Sequence, residues 1–463
     1  MHQPRWSSIA VLITLGVVCV SLPGCVGMGF NYSPIRDTIV IKLDANGAED
    51  WTRTIDSGQD DVGEDMAELA NGELVIVGQN GTSRRTFESP RVIRLSSDGR
   101  VIADRTNAAS FDRPSAVVAD PDGGFAILMK GGELTRYDRS GAAVWTCTTA
   151  MWEAPSLTRL RDGGYLAGGF TVYQVWATNN SSATGEQTAR TIRLPVVTTG
   201  TSRGSTASLE GAAQLDAGVT TSPAGAGGWP TTLRTVAIPS YTPSTMVKRA
   251  QAARYSADGQ LVWQRTYADG IAAVWSTLED RDGSLLLAGP SPDLSDGRSR
   301  VQELVVLRAG RDGAAGPAGM LGYVESQGTV RMRALSTGIE VLYSTWSSGV
   351  QYPEFGVAST VLAPTGQAVG NRSLKASQVF NGTSDGGYIS VGVPVAKGVE
   401  SYESSLSTGT GLHTYTTFHA LRFDAGGALV WNRPLSLGSI REVTRVIQTA
   451  DGGYAILAMT EKG

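Results

Sequence analysis

Cysteine and histidine are nearly absent from this 463-residue chain, at three residues each. Cys19 and Cys25 fall within the first 25 residues, which leaves Cys147 alone in the body of the chain. An intrachain disulfide cannot form there, and metal sites built on paired cysteines are excluded. Beyond His2 only His413 and His419 remain, too few for a facial metal triad without other ligands. Charge is thin as well. Asp, Glu, Lys and Arg make up 18%, with a net charge of −4, so nothing forms a basic footprint for nucleic acid. Past residue 30 no apolar run is long enough to cross a bilayer. Proline is sparse at 19 residues and glycine follows no short period, which excludes collagen-like chains. P-loop and dinucleotide-binding fingerprints in a strand–helix context are missing. Neither a cofactor nor a metal is called for.

What the chain has is apolar material, 41%, and glycine, 57 residues. The first is enough for a true core, and the second is well above the usual ~7% and must serve turns. The N-terminus is separate from both. Arg5 gives a thin positive region, and residues 9–22 form an apolar run of signal-peptide length, too short for a comfortable span. Leu22-Pro23-Gly24-Cys25 follows. This resembles the lipobox of bacterial lipoproteins, which implies cleavage before Cys25 and acylation of its thiol and new amino terminus. The alternative is an ordinary secretory signal with a chance cysteine. By the same resemblance, Val26 in place of an aspartate points to the outer membrane. The expected organisation is a signal peptide over 1–24, a lipidated tether over 25–37, and one repeat domain over 38–463.

Internal similarity dominates that domain. One motif is an Asp-Gly or Asn-Gly turn ahead of an apolar run, as in Asp122-Gly123-Gly124 before Phe125, Asp162-Gly163-Gly164 before Tyr165, and Asp451-Gly452-Gly453 before Tyr454. Such dipeptides supply the positive φ of tight hairpins. Seven copies are recognisable, with Ser336-Thr337-Gly338 the most degraded. The second motif carries a basic residue, a glycine and a tryptophan. It runs from Lys42 through Gly47 to Trp51, Arg136 through Gly141 to Trp145, Arg254 through Gly259 to Trp263, and Arg422 through Gly427 to Trp431. Ala103, Pro317 and Gly370 hold the tryptophan place in weaker copies.

Each pair of hairpins makes four short antiparallel strands, a to d. That is the sequence signature of a propeller blade. The expected fold is therefore all-β, a seven-bladed β-propeller. Its first c–d hairpin and last a–b hairpin complete one blade and close the ring. The repeats resemble bacterial extracytoplasmic propeller repeats and, more loosely, pyrroloquinoline-quinone and WD-repeat propellers. The tryptophans, and the basic residues of strand c, read as packing between blades. Asp120-Pro121-Asp122-Gly123 has the opening of a calcium loop without its later ligands, so turn chemistry is the reading there.

Loop length carries the functional clue. Insertions at about 171–249 and 396–417 fall between strands b and c, which places them on one face, opposite the tight turns. Within the first, 191–197 and 233–238 have the pattern of a hairpin. Aromatic loop residues gather on that face, among them Trp176, Trp229, Tyr402, His413 and Tyr415, with Arg113, Glu153, Arg441 and Glu442 at the entrances of strands a. These are the candidate binding residues, for a protein partner in the cell envelope and a monomeric, lipid-anchored scaffold. A small molecule or glycan in the central channel is the second possibility. A propeller hydrolase or degenerate quinoprotein is the third.

Overall fold

A computed structural model describes residues 35–82, 86–106, 112–177, 193–195, 242–268, 270–292, 301–325, 329–347, 354–363, 365–374, 379–392, 417–435 and 440–461. The chain divides into Met1–Pro34, outside those residues, and a compact unit over Ile35–Gly463. In chain order the unit opens with β1 (Arg36–Leu43) and β2 (Glu49–Ile55). Blade 1 is β3 (Asp60–Glu68), β4 (Leu74–Thr82), β5 (Thr86–Leu95) and β6 (Val101–Thr106). Blade 2 is β7 (Pro114–Ala119), β8 (Phe125–Met129), β9 (Glu133–Tyr137) and β10 (Ala143–Thr148). Blade 3 is β11 (Glu153–Arg159), β12 (Tyr165–Ala177), β14 (Thr242–Tyr255) and β15 (Leu261–Tyr267), with the short β13 (Arg193–Pro195) beside β12. Blade 4 is β16 (Ser276–Glu279), β17 (Leu285–Pro290), β18 (Val301–Ala309) and β19 (Ala315–Glu325). Blade 5 is β20 (Val330–Leu335), β21 (Gly338–Ser347), β22 (Glu354–Leu362) and β23 (Ala368–Leu374). Blade 6 is β24 (Val379–Gly382), β25 (Tyr388–Gly392), β26 (His419–Phe423) and β27 (Leu429–Pro434). Blade 7 takes β28 (Ile440–Gln448) and β29 (Tyr454–Glu461) from the end and β1 and β2 from the beginning.

The seven inner strands, β28, β3, β7, β11, β16, β20 and β24, touch one another in sequence and return to the start. This is a closed seven-bladed propeller. The join is the antiparallel ladder between β1 and β29, from Arg36 opposite Glu461 to Leu43 opposite Tyr454. It leaves no exposed inner edge, the feature that makes open sheets aggregate.

The core lies between the blades. Each of the seven seams holds a cluster of buried aliphatic and aromatic side chains drawn from both neighbours. Four seams are sealed by the repeat tryptophan. Trp145 of blade 2 lies on the Gly259 turn of blade 3 and donates its indole N–H to the Ala257 carbonyl at 3.0 Å. Trp51, Trp263 and Trp431 donate likewise to Ser97, Arg311 and Ala45. The turn residue must be glycine on two counts. Its φ is +83°, and a Cβ would stand 2.5 Å from Trp145 Cδ2.

The basic residues of strand c meet the expectation only in part. Their ion pairs lie within their own blade, while Arg254 and Arg422 also donate across the seam, to the Arg311 carbonyl and the Tyr454 hydroxyl at 2.8 Å each. Lys42 pairs with Asp451, Arg254 with Asp162, Arg422 with Asp385, Arg94 with Glu73, Arg136 with Asp120 and Asp122, and Arg308 with Asp280 and Asp282. The acid sits in or beside the a–b turn of the same sheet, so the pair staples one hairpin to the next.

Candidate binding face

The a–b and c–d turns form one face, built from glycine turns closed by short backbone hydrogen bonds. The opposite face is uneven. In blade 3, β12 and β14 are 13 and 14 residues long and pair from Tyr165 opposite Tyr255 out to Ala177 opposite Thr242. At about 3.3 Å per residue, the segment beyond Phe170 carries this hairpin roughly 20 Å further than its neighbours. Residues 171–177 and 242–249 are thus ladder, where the sequence pattern points to loop. β13 pairs with Tyr173, Gln174 and Val175 of β12. The expected hairpin partner of this segment, 233–238, lies outside the described residues.

The inner strands begin on this face, and at blades 7, 1, 2 and 3 their entrances carry charge of both signs at the channel mouth. Arg36 grips Asp60 with two hydrogen bonds, Nε to Oδ1 at 2.9 Å and Nη2 to Oδ2 at 2.7 Å, while its backbone N–H adds a third. Lys130 pairs with Glu153 at 3.0 Å. Asp112 accepts the N–H groups of Gly131 and Arg113, and burial holds its carboxyl above the usual range. Glu64 is the focus. Burial raises its carboxyl; Arg113 opposes that shift, Glu442 adds to it, and Lys130 and Arg36 oppose it more weakly. Blades 7, 1 and 2 therefore meet electrostatically at one carboxyl, and Glu153 joins through Lys130.

Of the binding residues expected from the sequence, the fold brings Arg113, Glu153 and Glu442 to this mouth. Arg441 is turned to Glu461 of its own blade. Cys25, Trp229, Tyr402, His413 and Tyr415 lie outside the described residues, and of Trp176 only the backbone, in β12, is placed. Arg36, Asp60, Glu64, Asp112 and Lys130 escape a reading of the sequence alone. The available signal is their position at or near strand entrances, the same one that singles out Arg113.

Deeper in the channel, Arg445 pairs with Asp65 at 3.0 Å, and the other Asp65 oxygen accepts the Val117 N–H at 2.9 Å. Arg331 on β20 is pushed down to about 9 by burial and by the Arg445 charge, with Asp65 opposing. Its Nη1 donates to the Val330 carbonyl, while its Nε is buried without a hydrogen-bond partner among the described residues. Where blade 7 runs into blade 1, next to the Arg36–Asp60 pair, Asp37, Asp56 and Asp61 bring three carboxylate oxygens within 4.8 Å of one another. Arg91 already pairs with Asp61, which also accepts the Ser57 N–H and hydroxyl. The spacing G-x-S-x-G occurs at 200–204 and 382–386. The first lies outside the described residues. The second is the a–b turn of blade 6, between two strands, and lacks the strand-to-helix elbow that exposes a nucleophile.

No known protein family matches the sequence, and no curated protein does. Among solved structures the chain is similar to BamB from Moraxella catarrhalis, at 12% identity and a TM-score of 0.40, over 85% of this chain and 95% of that one. It is also similar to Raptor from Chaetomium thermophilum, at 8% identity and a TM-score of 0.42, over 87% of this chain and 28% of that one.

Proposed function

We propose that this chain is a propeller of the bacterial cell envelope, anchored through lipid on Cys25, that docks a protein partner on the face bearing the long b–c connections. The observation that carries the reading is the charged mouth around Glu64 beside the projecting β12–β14 hairpin. A specific interface needs about 800 Å² on each side. Tight glycine turns offer little relief for one, whereas a raised hairpin beside a patterned rim offers shape and charge together. Mixed-sign rims set partner choice and association rate more than raw affinity.

The test compares faces. Envelope partners are crosslinked to the full chain, and capture is measured for the double reversal Arg113→Glu, Lys130→Glu and for Asp122→Ala on the turn face. Capture falls with the first and persists with the second, and it weakens as salt rises. Loss confined to Asp122→Ala would place the interface on the wrong side. Cys25→Ser tests the anchor, since incorporation of a palmitate analogue should disappear.

A second reading has one observation in its favour. The Arg331 Nε, buried without a partner among the described residues, suits a small anionic ligand such as an acidic sugar. Glucuronate would then raise the melting temperature of the protein but not of Arg331→Ala.

A further inference from the structure

Three of the seven seams lack the tryptophan, and the one between blades 1 and 2 keeps the rest of its socket around a cavity. Between blades 1 and 2 the tryptophan place is Ala103. Gly141 holds the turn position that Gly47, Gly99, Gly259 and Gly313 hold elsewhere, with φ +79°. Phe125 opens β8 as Tyr165 opens β12 and Tyr454 opens β29. Those two tyrosines meet Trp145 and Trp431 edge-on, at 5.5 and 5.6 Å between ring centres. The Arg139 carbonyl stands two residues before the turn glycine, where Ala45, Ser97, Ala257 and Arg311 each accept an indole N–H.

A cavity of about 210 Å³ runs along this seam, from Ala103, Gly141, Arg94 and Arg105 past Phe125 to Met129. Apolar cavities of ~150 Å³ take up benzene, so this volume admits a bicyclic ring. In the sealed seams, indole carbons lie 2.5 to 2.9 Å from the position a glycine Cβ would take. At Gly141 the nearest atoms are the Nη1 of Arg105 at 3.4 Å and of Arg94 at 3.6 Å. Arg105 is tied to the Gly141 carbonyl at 2.6 Å, and Arg94 is held by Glu73. Two fixed guanidinium groups beside an aromatic edge form the wall that a π face seeks.

We propose that the seam between blades 1 and 2 binds a flat aromatic ligand of indole size bearing an N–H donor. The ring stacks on the Arg94 and Arg105 guanidinium groups that cover the Gly141 turn, meets Phe125 edge-on, and directs its N–H to the Arg139 carbonyl. It occupies from outside the place that four sister seams fill from within.

The probe is 5-fluoroindole, followed by fluorine NMR on the full chain. The wild type gives a saturable change in the fluorine signal. Ala103→Trp fills the cavity from within, so it abolishes the change and raises the melting temperature. Ala103→Leu, which demands less of the seam, weakens binding and covers the case where the tryptophan variant fails to fold. Blocked N-acetyl-5-fluorotryptophanamide separates the sources. Binding of fluoroindole alone identifies a free small molecule, and binding of both identifies an indole carried on a chain. No saturable change in the wild type, or undiminished binding in both Ala103 variants, overturns the proposal.

Discussion

Asp120 is the carboxylate on which two blades converge, and its removal has a calculable cost. The side chain is fully buried and forms ion pairs with Arg136 of its own blade and Arg159 of blade 3. The Tyr165 hydroxyl donates to both oxygens, at 2.8 and 2.7 Å. Asp120→Ala leaves two guanidinium groups without their shared counter-charge. Removing one partner of a buried pair costs about 3–5 kcal/mol. Arg136 and Arg159 keep 16% and 23% of their side-chain surface in solvent, so the lower end applies, about 3 kcal/mol. Unfolding entropy of ~2.1 cal/mol/K per residue over roughly 430 residues gives ~0.9 kcal/mol/K, hence a fall of about 3 °C in melting temperature. Asp122 serves as control. Its side chain is 61% exposed, so losing its pair with Arg136 and its bond from the Gly124 N–H should cost only about 1 kcal/mol. Scanning fluorimetry with a urea titration reads both variants. On the Asp120→Ala background, Arg159→Ala should cost less than in the wild type, because that cation has already lost its partner. Equal losses for Asp120→Ala and Asp122→Ala would refute the buried-network reasoning.

Two further outcomes follow from ring closure and from the rim. Deleting residues 36–55 removes β1 and β2 and uncovers β29, so the whole ring should lose its cooperative melt; a transition kept near the wild-type temperature would contradict the shared blade. Glu64 has a folded-state pKa above its unfolded value of about 4.5, so its charged form is penalised in the fold and stability falls as pH rises through the folded pKa. Glu64→Gln should therefore melt higher than wild type at pH 7, with the gain fading below about pH 4.5, and a gain that grows on acidification would reverse the assignment.

How much of this can be read from the sequence depends on the range of the interaction. Turns are local. Asp122-Gly123 and Asp451-Gly452 announce hairpins because a positive φ admits few residues, and seven a–b turns alternating with seven glycine-turned c–d hairpins, four of them with the tryptophan, specify the blade count and its closure. The strand-c cations are legible as a repeat, yet the acids that pair with them are not. A repeated position shows that a residue is structural without showing that Arg254 and Arg422 hold an acid of their own blade and also reach the next one. The rim is harder still. Glu64 and Glu442 are nearly the length of the domain apart in sequence and become neighbours only when blade 7 closes on blade 1.

Blade 5 shows how a degraded repeat is kept. Strand β22 has Val361 where other blades carry the basic residue, so the staple cannot form in its usual place. Arg333 of β20 takes the role from the opposite side, pairing with Glu340 of β21 and donating to the Thr383 and Gly387 carbonyls of blade 6. At the seam beyond, where Gly370 replaces the tryptophan, Arg372 donates to the Ala425 carbonyl at 2.7 Å, the bond the indole makes elsewhere. Arg105 makes a related bond at a shifted position, to the carbonyl of the turn glycine Gly141 itself. Arginine can thus stand in for the hydrogen bond of a lost tryptophan but not for its volume, which is why the seam at Ala103 is bonded and still hollow.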